Sequence, residues 1–226
     1  MSQFLVAIDG PAGSGKSSVS KQVARELGFG YLDTGAAYRA LAWAVLYLDG
    51  FDLDVLPALD LTQKFDYQIS LNPDDYWVRV GDNDLTAAIR TSEVAESVSA
   101  VARIPEVRSF MKSLTRNLVA NSKLPGVIVE GRDITTVVAP DAEIKILLTA
   151  SETVRLKRRS AELSEASASS VKRQVSERDA SDSKVVDFMT PAEGVQLVDS
   201  SDLNFEQTVS AVVSLIEQSG SAKESK

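Results

Sequence analysis

Residues 10–17 read Gly-Pro-Ala-Gly-Ser-Gly-Lys-Ser and fill every fixed position of the pattern G-x-x-x-x-G-K-[ST]. The stretch follows an apolar run at residues 4–8 and precedes a helical pattern, which is the context that a phosphate-binding loop requires. Such a loop places backbone N–H groups around an anion at the positive end of a helix. We expect Lys16 to reach the β- and γ-phosphates of a nucleoside triphosphate and Ser17 to bind Mg²⁺ through its hydroxyl. A glycine-rich turn that only joins a strand to a helix is the alternative, and the flanking pattern argues against it.

The predicted nucleotide-binding residues are those of the loop and the first turn of the helix. They are Gly10, Pro11, Ala12, Gly13, Ser14, Gly15, Lys16, Ser17 and Ser18.

Neither histidine nor cysteine occurs among the 226 residues. Their absence from the sequence removes the commonest general base, a thiolate nucleophile and the usual zinc ligands. The side chains that remain for chemistry are lysines, arginines, carboxylates and hydroxyls. Phosphoryl transfer suits them, because its catalysis depends mostly on positioning and on charge stabilisation.

The charge balance is acidic, with a net charge of −8 at pH 7. A nucleic-acid groove would need a basic footprint, so we expect no nucleic-acid partner. No stretch approaches the ~18 apolar residues of a membrane span, and no signal segment precedes the first apolar run. These observations predict a cytoplasmic protein that binds small phosphorylated molecules and no membrane. We expect a monomer, although the sequence itself does not report the oligomeric state.

Strand and helix patterns alternate along most of the chain, which is typical of a parallel sheet flanked by helices. The predicted strands are residues 4–9, 31–33, 126–130, 143–150 and 195–199. Helices are predicted after Lys16, at about 36–48 and at about 205–218. The predicted fold class is therefore α/β: a P-loop NTPase core with a five-stranded parallel sheet.

Two segments interrupt the alternation. Residues 67–71 and 77–80 are short β-rich runs around a turn at 72–75, which predicts an inserted antiparallel hairpin. Two charged helical pieces at 153–161 and 171–179 are joined by a polar linker, 162–170. This pattern favours a mobile helical lid, although a solvated helical hairpin has the same pattern. The predicted single domain, 1–218, thus has a core (1–61, 88–154, 180–218), an insertion (62–87) and a lid (155–180), followed by a disordered tail (219–226).

Arginines at predicted strand ends indicate a second phosphate site. Thr34 and Arg39 follow the second strand, where Thr34 would cap a helix and Arg39 would bind a phosphate bidentately. Arg132 follows the third strand, at the same edge of the sheet, where ligands bind in open α/β folds. Further positive charge comes from Arg158, Arg159 and Arg178. Any one of these arginines alone is compatible with a solvated helix surface, but together they favour a phosphate pocket.

Six segments fall in the order seen in bacterial cytidylate kinases, and the chain resembles that family over about residues 3–217. They are residues 4–18, 33–39, 88–94, 103–108, 131–133 and 177–182. The phosphate-binding loop alone is shared by a larger superfamily. The segment Ile-Arg-Thr-Ser-Glu-Val at 89–94, the Gly-Arg-Asp at 131–133 and the inserted hairpin are more specific. The resemblance implies a core like that of adenylate kinase, a CMP-binding part, a lid and ATP with Mg²⁺ as donor.

The resemblance also implies roles for single residues. Lys16 would bridge the donor phosphates, and Arg132, Arg158 and Arg178 would join it as catalytic cations. The CMP site would use Thr34, Tyr38, Arg39 and Arg132, with Ser99, Arg108 and Asp133 at the cytosine and Arg178 and Asp182 at the sugar and nearby phosphate.

Two positions depart from the family pattern. Val185 stands where the family often has an arginine, so either Lys184 substitutes for it or this subsite is weaker. Glu130, before Gly131, stands where an aspartate also occurs, and it would hold Mg²⁺ through water.

Two functions follow from these patterns. The first is an enzyme that transfers the γ-phosphoryl group of ATP to CMP or dCMP. The second is a nucleotide-dependent switch that binds partners. The switch is disfavoured, because the sequence lacks an Asn-Lys-x-Asp segment for reading guanine and the second set of arginines would have no role.

Overall fold

A computed structural model of the chain describes residues 4–162, 175–176, 178–183 and 186–224. The chain divides into two compact units, the first formed by Met1–Leu32 with Lys123–Lys226 and the second by Asp33–Ser122. The predicted insertion, residues 62–87, lies within the second unit. No helix in the described part of the chain is long and apolar enough to cross a lipid bilayer.

The described residues form eight strands and a set of α-helices. The strands are β1 (Phe4–Asp9), β2 (Gly30–Asp33), β3 (Tyr67–Ile69), β4 (Val78–Val80), β5 (Asn83–Asp84), β6 (Gly126–Gly131), β7 (Ile144–Thr149) and β8 (Gln196–Asp199). The helices are α1 (Lys16–Leu27), α2 (Thr34–Tyr47), α3 (Leu61–Lys64), α4 (Ser92–Ala102), α5 (Pro105–Ala120), α6 (Glu152–Glu162), α7 (Arg178–Asp182) and α8 (Phe205–Glu224). Short 3₁₀ turns lie at Leu56–Ala58 and Ala88–Arg90, and a π turn lies at Ile134–Val138.

The larger sheet has the strand order β2-β6-β1-β7-β8. Strand β1 pairs in parallel with β6 and β7, and β7 pairs in parallel with β8. The central strand is fully buried at Val6, Ala7 and Ile8, because helices cover both faces of such a sheet and its strands are apolar throughout. The predicted P-loop core with a five-stranded sheet is confirmed.

The order of the strands reverses direction beside β1. The chain runs from β1 to β2 at one edge of the sheet, and later from β6 across β1 to β7 on the other side. Ligands of open α/β folds bind outside the carboxyl ends of the strands at such a point. The register pairs Asp9 with Gly131 there, so the loops after β1 and β6 start side by side.

The second unit has its own core and its own small sheet. Strands β3, β4 and β5 pair antiparallel, with Tyr67 opposite Val80. Phe65 stacks on Tyr67 with ring centroids 5.6 Å apart and contacts Phe51 and Phe110 edge-on. Helix α2 packs on α4, and most of the buried side chains of α2 are alanines.

Several elements differ from the sequence prediction. Strand β5 was not predicted, and its two residues are exposed, so no buried apolar residue marks it. Helices α4 and α5 received no assignment, although α4 buries Val94, Val98 and Val101 at helical spacing. Helix α8 continues to Glu224, past the predicted end at 218, so residues 219–224 of the predicted disordered tail lie in this helix. Of the predicted helix 171–179, only 175–176 and 178–179 belong to the described residues.

Candidate active site

The phosphate-binding loop lies between β1 and α1, and two of its glycines fix its path. A Cβ on Gly10 would lie 2.1 Å from the Leu148 carbonyl oxygen, so only glycine fits there. Gly13 has a φ of +74°, and a Cβ on it would lie 2.6 Å from the Arg155 carbonyl oxygen. The loop therefore passes close to β7 and α6, and larger residues at these two positions would displace it.

The polar groups of the loop meet the start of α1. Lys16 is the first residue of the helix, and its Nζ donates to the Pro11 carbonyl oxygen at 3.4 Å. Ser17 and Ser18 are exposed in the first helical turn, which contains no acidic residue. The positive end of the helix dipole therefore has no carboxylate of its own turn to oppose it. The buried Ser14 hydroxyl makes no hydrogen bond within the described residues.

Arg132 extends from the end of β6 to the backbone of the loop. Its Nη1 donates to the Gly10 carbonyl oxygen, its Nη2 to Asp179 at 2.9 Å and its Nε to Asp182 at 3.2 Å. The guanidinium also lies 4.4 Å from the ring centroid of the buried Phe188. The structure thus brings together three predicted site elements: the loop, Arg132 and Asp182.

Helix α6 contributes two arginines that contact the same loop. Arg155 is buried, and its Nη1 donates to the Ala12 carbonyl oxygen at 2.9 Å and forms a short ion pair with Asp179. Arg158 donates to the Ser14 carbonyl oxygen at 3.0 Å and to the Ser200 side chain and carbonyl oxygen at 2.9 Å each. Arg158, predicted as a catalytic cation, therefore ties the loop to the segment after β8. Its catalytic role stays a prediction.

Asp9, the last residue of β1, fastens the turn after β6. Its buried carboxylate accepts from the backbone N–H of Ile134 at 2.9 Å, from that of Thr135 at 2.8 Å and from the Thr135 hydroxyl at 2.6 Å. Burial raises the pKa of Asp9, and these hydrogen bonds oppose that rise only in part. This carboxylate therefore holds the start of the Ile134–Val138 turn, directly after Arg132 and Asp133.

The second unit holds five predicted substrate residues. Asp33 accepts from the Ala36 backbone N–H at 3.1 Å and forms an ion pair with Arg39. The predicted cap is thus wrong: Asp33 caps α2 and Thr34 is its first residue, because the carboxylate of Asp33 reaches the orphan N–H. Thr34 is buried, whereas the remaining four are half-buried: Tyr38 and Arg39 on α2, Ser99 on α4 and Arg108 on α5.

The sequence patterns did not single out Arg155, Asp179 or Asp9 as site residues. A signal for Arg155 existed, because it lies three residues before Arg158 and so shares a face of α6 with it. The side chain of Arg178 and both Lys184 and Val185 lie outside the described part of the structure. Glu130, predicted to hold Mg²⁺ through water, is buried and accepts from the Tyr31 hydroxyl at 2.8 Å.

A loop of this sequence after the central strand of a parallel sheet, with guanidinium groups held against its backbone, is that of a P-loop nucleotide-binding protein. The sequence model of the family described as Cytidylate kinase matches residues 6–218. A cytidylate kinase of Streptomyces avermitilis is 44% identical over 221 residues, covering 97% of this chain and 95% of that protein. One of Cutibacterium acnes is 42% identical over 218 residues, covering 95% of this chain and 96% of that protein. The chain belongs to the cytidylate kinase family.

A solved structure shares the fold at low sequence identity. It is an uncharacterized protein from Eubacterium ventriosum, 11% identical, with a TM-score of 0.51 and coverage of 95% of this chain and 99% of that one. This likeness concerns the fold alone.

Proposed function

We propose that this chain transfers the γ-phosphoryl group of ATP to CMP or dCMP, giving ADP and CDP or dCDP. The observation that carries the proposal is Arg132, which donates to the Gly10 carbonyl oxygen of the phosphate-binding loop in a member of the cytidylate kinase family. A cation held there meets the developing charge of a transferred phosphoryl group. No observation favours the nucleotide-dependent switch.

The donor triphosphate would bind at the loop and the start of α1. The backbone N–H groups of the loop would surround its phosphates, and Lys16 would supply a point charge beside them. The Ser17 hydroxyl suits Mg²⁺, because it is an exposed oxygen donor in the first turn of α1. Mg²⁺ is commonly held by one or two protein oxygens together with substrate phosphates and water, and there it would neutralise phosphate charge. The described residues include no cluster of three or more Asp or Glu side chains that would bind the ion without a nucleotide.

The acceptor would use the residues assigned to it by the family resemblance. These are Thr34, Tyr38, Arg39 and Arg132 at the phosphate, Ser99, Arg108 and Asp133 at the cytosine, and Arg178 and Asp182 at the sugar. The ion pair of Arg39 with Asp33 supports this role, because it fixes a guanidinium that would otherwise sample many conformations.

The reaction needs no general base, because the attacking oxygen of a monophosphate is already anionic at neutral pH. The side chains would instead orient two anionic groups and offset their repulsion. Residues 155–180 would act as the lid and exclude water, which would otherwise accept the phosphoryl group. Of this lid, residues 163–174 and 177 lie outside the described part. We expect the enzyme to act as a cytoplasmic monomer.

A coupled assay for ADP release, with each nucleoside monophosphate in turn, tests the function. We expect CMP and dCMP to stimulate ADP release strongly and UMP less. Release of ADP that no monophosphate changes would contradict the kinase function. A protein in which Lys16 is replaced by alanine serves as the control for contaminating activity.

A further inference from the structure

The carboxylate of Asp179 lies against the phosphate-binding loop. Asp179 is the second residue of α7 and is 6% exposed. Its Oδ1 accepts from the backbone N–H of Ala12 at 3.0 Å and from Nη2 of Arg132 at 2.9 Å, and its Oδ2 accepts from Nη1 of Arg155. One carboxylate therefore joins a loop N–H group and two guanidinium groups.

Both arginines are also bonded to the loop backbone. Arg132 donates to the Gly10 carbonyl oxygen, and Arg155 donates to the Ala12 carbonyl oxygen. Ala12, Arg155 and Asp179 thus form a closed ring of contacts, and Arg132 links Asp179 to Gly10. The four residues Ala12, Arg132, Arg155 and Asp179 are here named the Asp179 cluster. The side chains of Asp179 and Arg155 are 8% and 6% exposed, so water screens their charges little. Charge-assisted hydrogen bonds in such surroundings are short and strong.

We infer that Asp179 is a positioning residue for phosphoryl transfer, which holds Arg132 and Arg155 at the loop in the orientation that receives the transferred group. The inference rests on the proposed function. An arginine side chain has many rotamers, and a donor catalyses best when its orientation is set before the charge develops. Arg132 has five N–H groups, of which three donate within the described residues, so two remain to donate to a phosphoryl oxygen.

Asp182 also accepts from Arg132 but does not replace Asp179 in this role. Its contact with the Nε of Arg132 is longer, at 3.2 Å, and its side chain is 17% exposed, whereas that of Asp179 is 8% exposed. Asp179 is therefore the residue through which both arginines and the loop are linked.

The decisive variant is Asp179→Asn, made in the full chain. It keeps the shape of the side chain and removes its charge. We expect kcat with ATP and CMP to fall about 10–100-fold, because a small misplacement of an orienting group costs that much, while KM for ATP changes little. Glu193→Gln, an exposed carboxylate replaced in the same way, should leave kcat unchanged. Wild-type kcat in a folded Asp179→Asn protein would overturn the inference.

Two measurements separate a positioning role of Asp179 from a role in folding. The melting temperature of the Asp179→Asn protein shows whether that variant is folded, and the kcat of a second variant tests the position of the charge. Asp179→Glu keeps the negative charge that the buried arginines need and moves it by one methylene. It should fold and still lose kcat, and wild-type kcat in this variant would also overturn the inference. An Asp179→Asn protein that binds ATP more tightly and turns over faster would show that the carboxylate competes with phosphate, which contradicts a positioning role.

A double-mutant cycle tests whether Asp179 acts through Arg132. Arg132→Lys should lower kcat much less in the Asp179→Asn protein than in the wild type, whereas independent effects would refute the coupling. The wild-type assay with each monophosphate comes first and judges the proposed function by itself. If another monophosphate is the acceptor, the cycle is measured with that one.

Discussion

Lys16 combines a positive charge with a position at the start of α1. It is half-buried, and its described hydrogen bond to Pro11 is long, at 3.4 Å, so its removal should open no cavity. We predict that Lys16→Ala lowers kcat by about 10²–10³-fold, because the charge acts mainly as the bond to the γ-phosphoryl group breaks, while the melting temperature changes little. Steady-state assays and thermal unfolding check this, with the exposed Lys157→Ala as control. Near-normal turnover would contradict the role of residues 10–17 as the donor loop.

We expect the side chain of Asp133 to determine the preference of the enzyme for CMP over UMP. Its backbone carbonyl accepts from the N–H groups of Val137 and Val138, but its side chain does not cap the turn that follows. Cytosine presents an amino donor where uracil presents a carbonyl oxygen, and a carboxylate discriminates between them by about 1–3 kcal/mol. Because an amide both donates and accepts, Asp133→Asn should narrow the preference for CMP over UMP in kcat/KM.

The measurement is kcat/KM for CMP and for UMP, with both the wild type and the Asp133→Asn protein. A structural role for Asp133 would lower both kcat/KM values equally and leave their ratio as it is. Asp141→Asn, which replaces an exposed aspartate, is the matched control and should change neither value.

At the scale of elements, α6 is fastened to the loop by Arg158. This side chain donates to three backbone carbonyl oxygens, in Ser14, Ser200 and Leu203, and to the Ser200 hydroxyl. Arg158→Ala leaves these acceptors without their donor, and we predict a loss of about 1–3 kcal/mol in the free energy of unfolding. Denaturant unfolding measures it, with Lys157→Ala on the same helix as control. A catalytic role alone would lower kcat and leave this free energy unchanged.

If residues 155–180 act as a lid, hydrogen exchange of their backbone amides should change when both nucleotide sites are occupied. A bisubstrate analogue should slow hydrogen exchange across residues 155–190, because both nucleotides would supply phosphates for the arginines of α6 and α7 to bind. The first turns of α6 should change least, since Arg155 and Arg158 already hold them to the loop. Equal exchange with and without the analogue would mean that the segment is no lid.

Elements with a local signal could be predicted from the sequence. The central strands are continuous apolar runs, and the loop motif stands between such a run and a helix, so both were found. Arg132 was predicted as a site residue because it directly follows a predicted strand, and the carboxyl ends of parallel strands lie at the same edge of a sheet. Asp179 was not predicted, because its contact with Ala12 joins residues 167 positions apart and no local pattern records such a pairing. Arg155 shares a face of α6 with Arg158, but this spacing does not reveal its contacts with Ala12 and Asp179.

At the scale of the whole molecule the chain is acidic, so a site for anions depends on local arrangements of cations and N–H groups. The net charge is −8, yet the Asp179 cluster brings two guanidinium groups and a loop N–H group together. We expect such local groups to suffice for a phosphate, whereas a nucleic acid needs an extended basic footprint.

The buried carboxyl group of Asp9 predicts how the free energy of unfolding of the chain depends on pH. Burial raises the pKa of Asp9 above the ordinary value of 3.8, so between 3.8 and the raised pKa the folded chain holds a proton that the unfolded chain releases. The resulting contribution to stability is complete below pH 3.8 and is lost as the pH rises through the raised pKa. Asp9→Asn removes this titration and places an amide NH₂ against the N–H of Thr135 or Ile134.

We predict that Asp9→Asn lowers the free energy of unfolding by about 1–3 kcal/mol, since a buried donor loses its acceptor. The difference in free energy of unfolding between the wild type and the variant should be largest at low pH. It should shrink as the pH rises through the raised pKa of Asp9, because only the wild type has a carboxyl group that loses its proton there. Denaturant unfolding at a series of pH values measures this difference, and Asp202→Asn, an exposed aspartate, should show none. A difference that widens with rising pH would mean that the carboxylate form of Asp9 is favoured by folding. In that case the three hydrogen bonds from Ile134 and Thr135 would outweigh the cost of burying the charge.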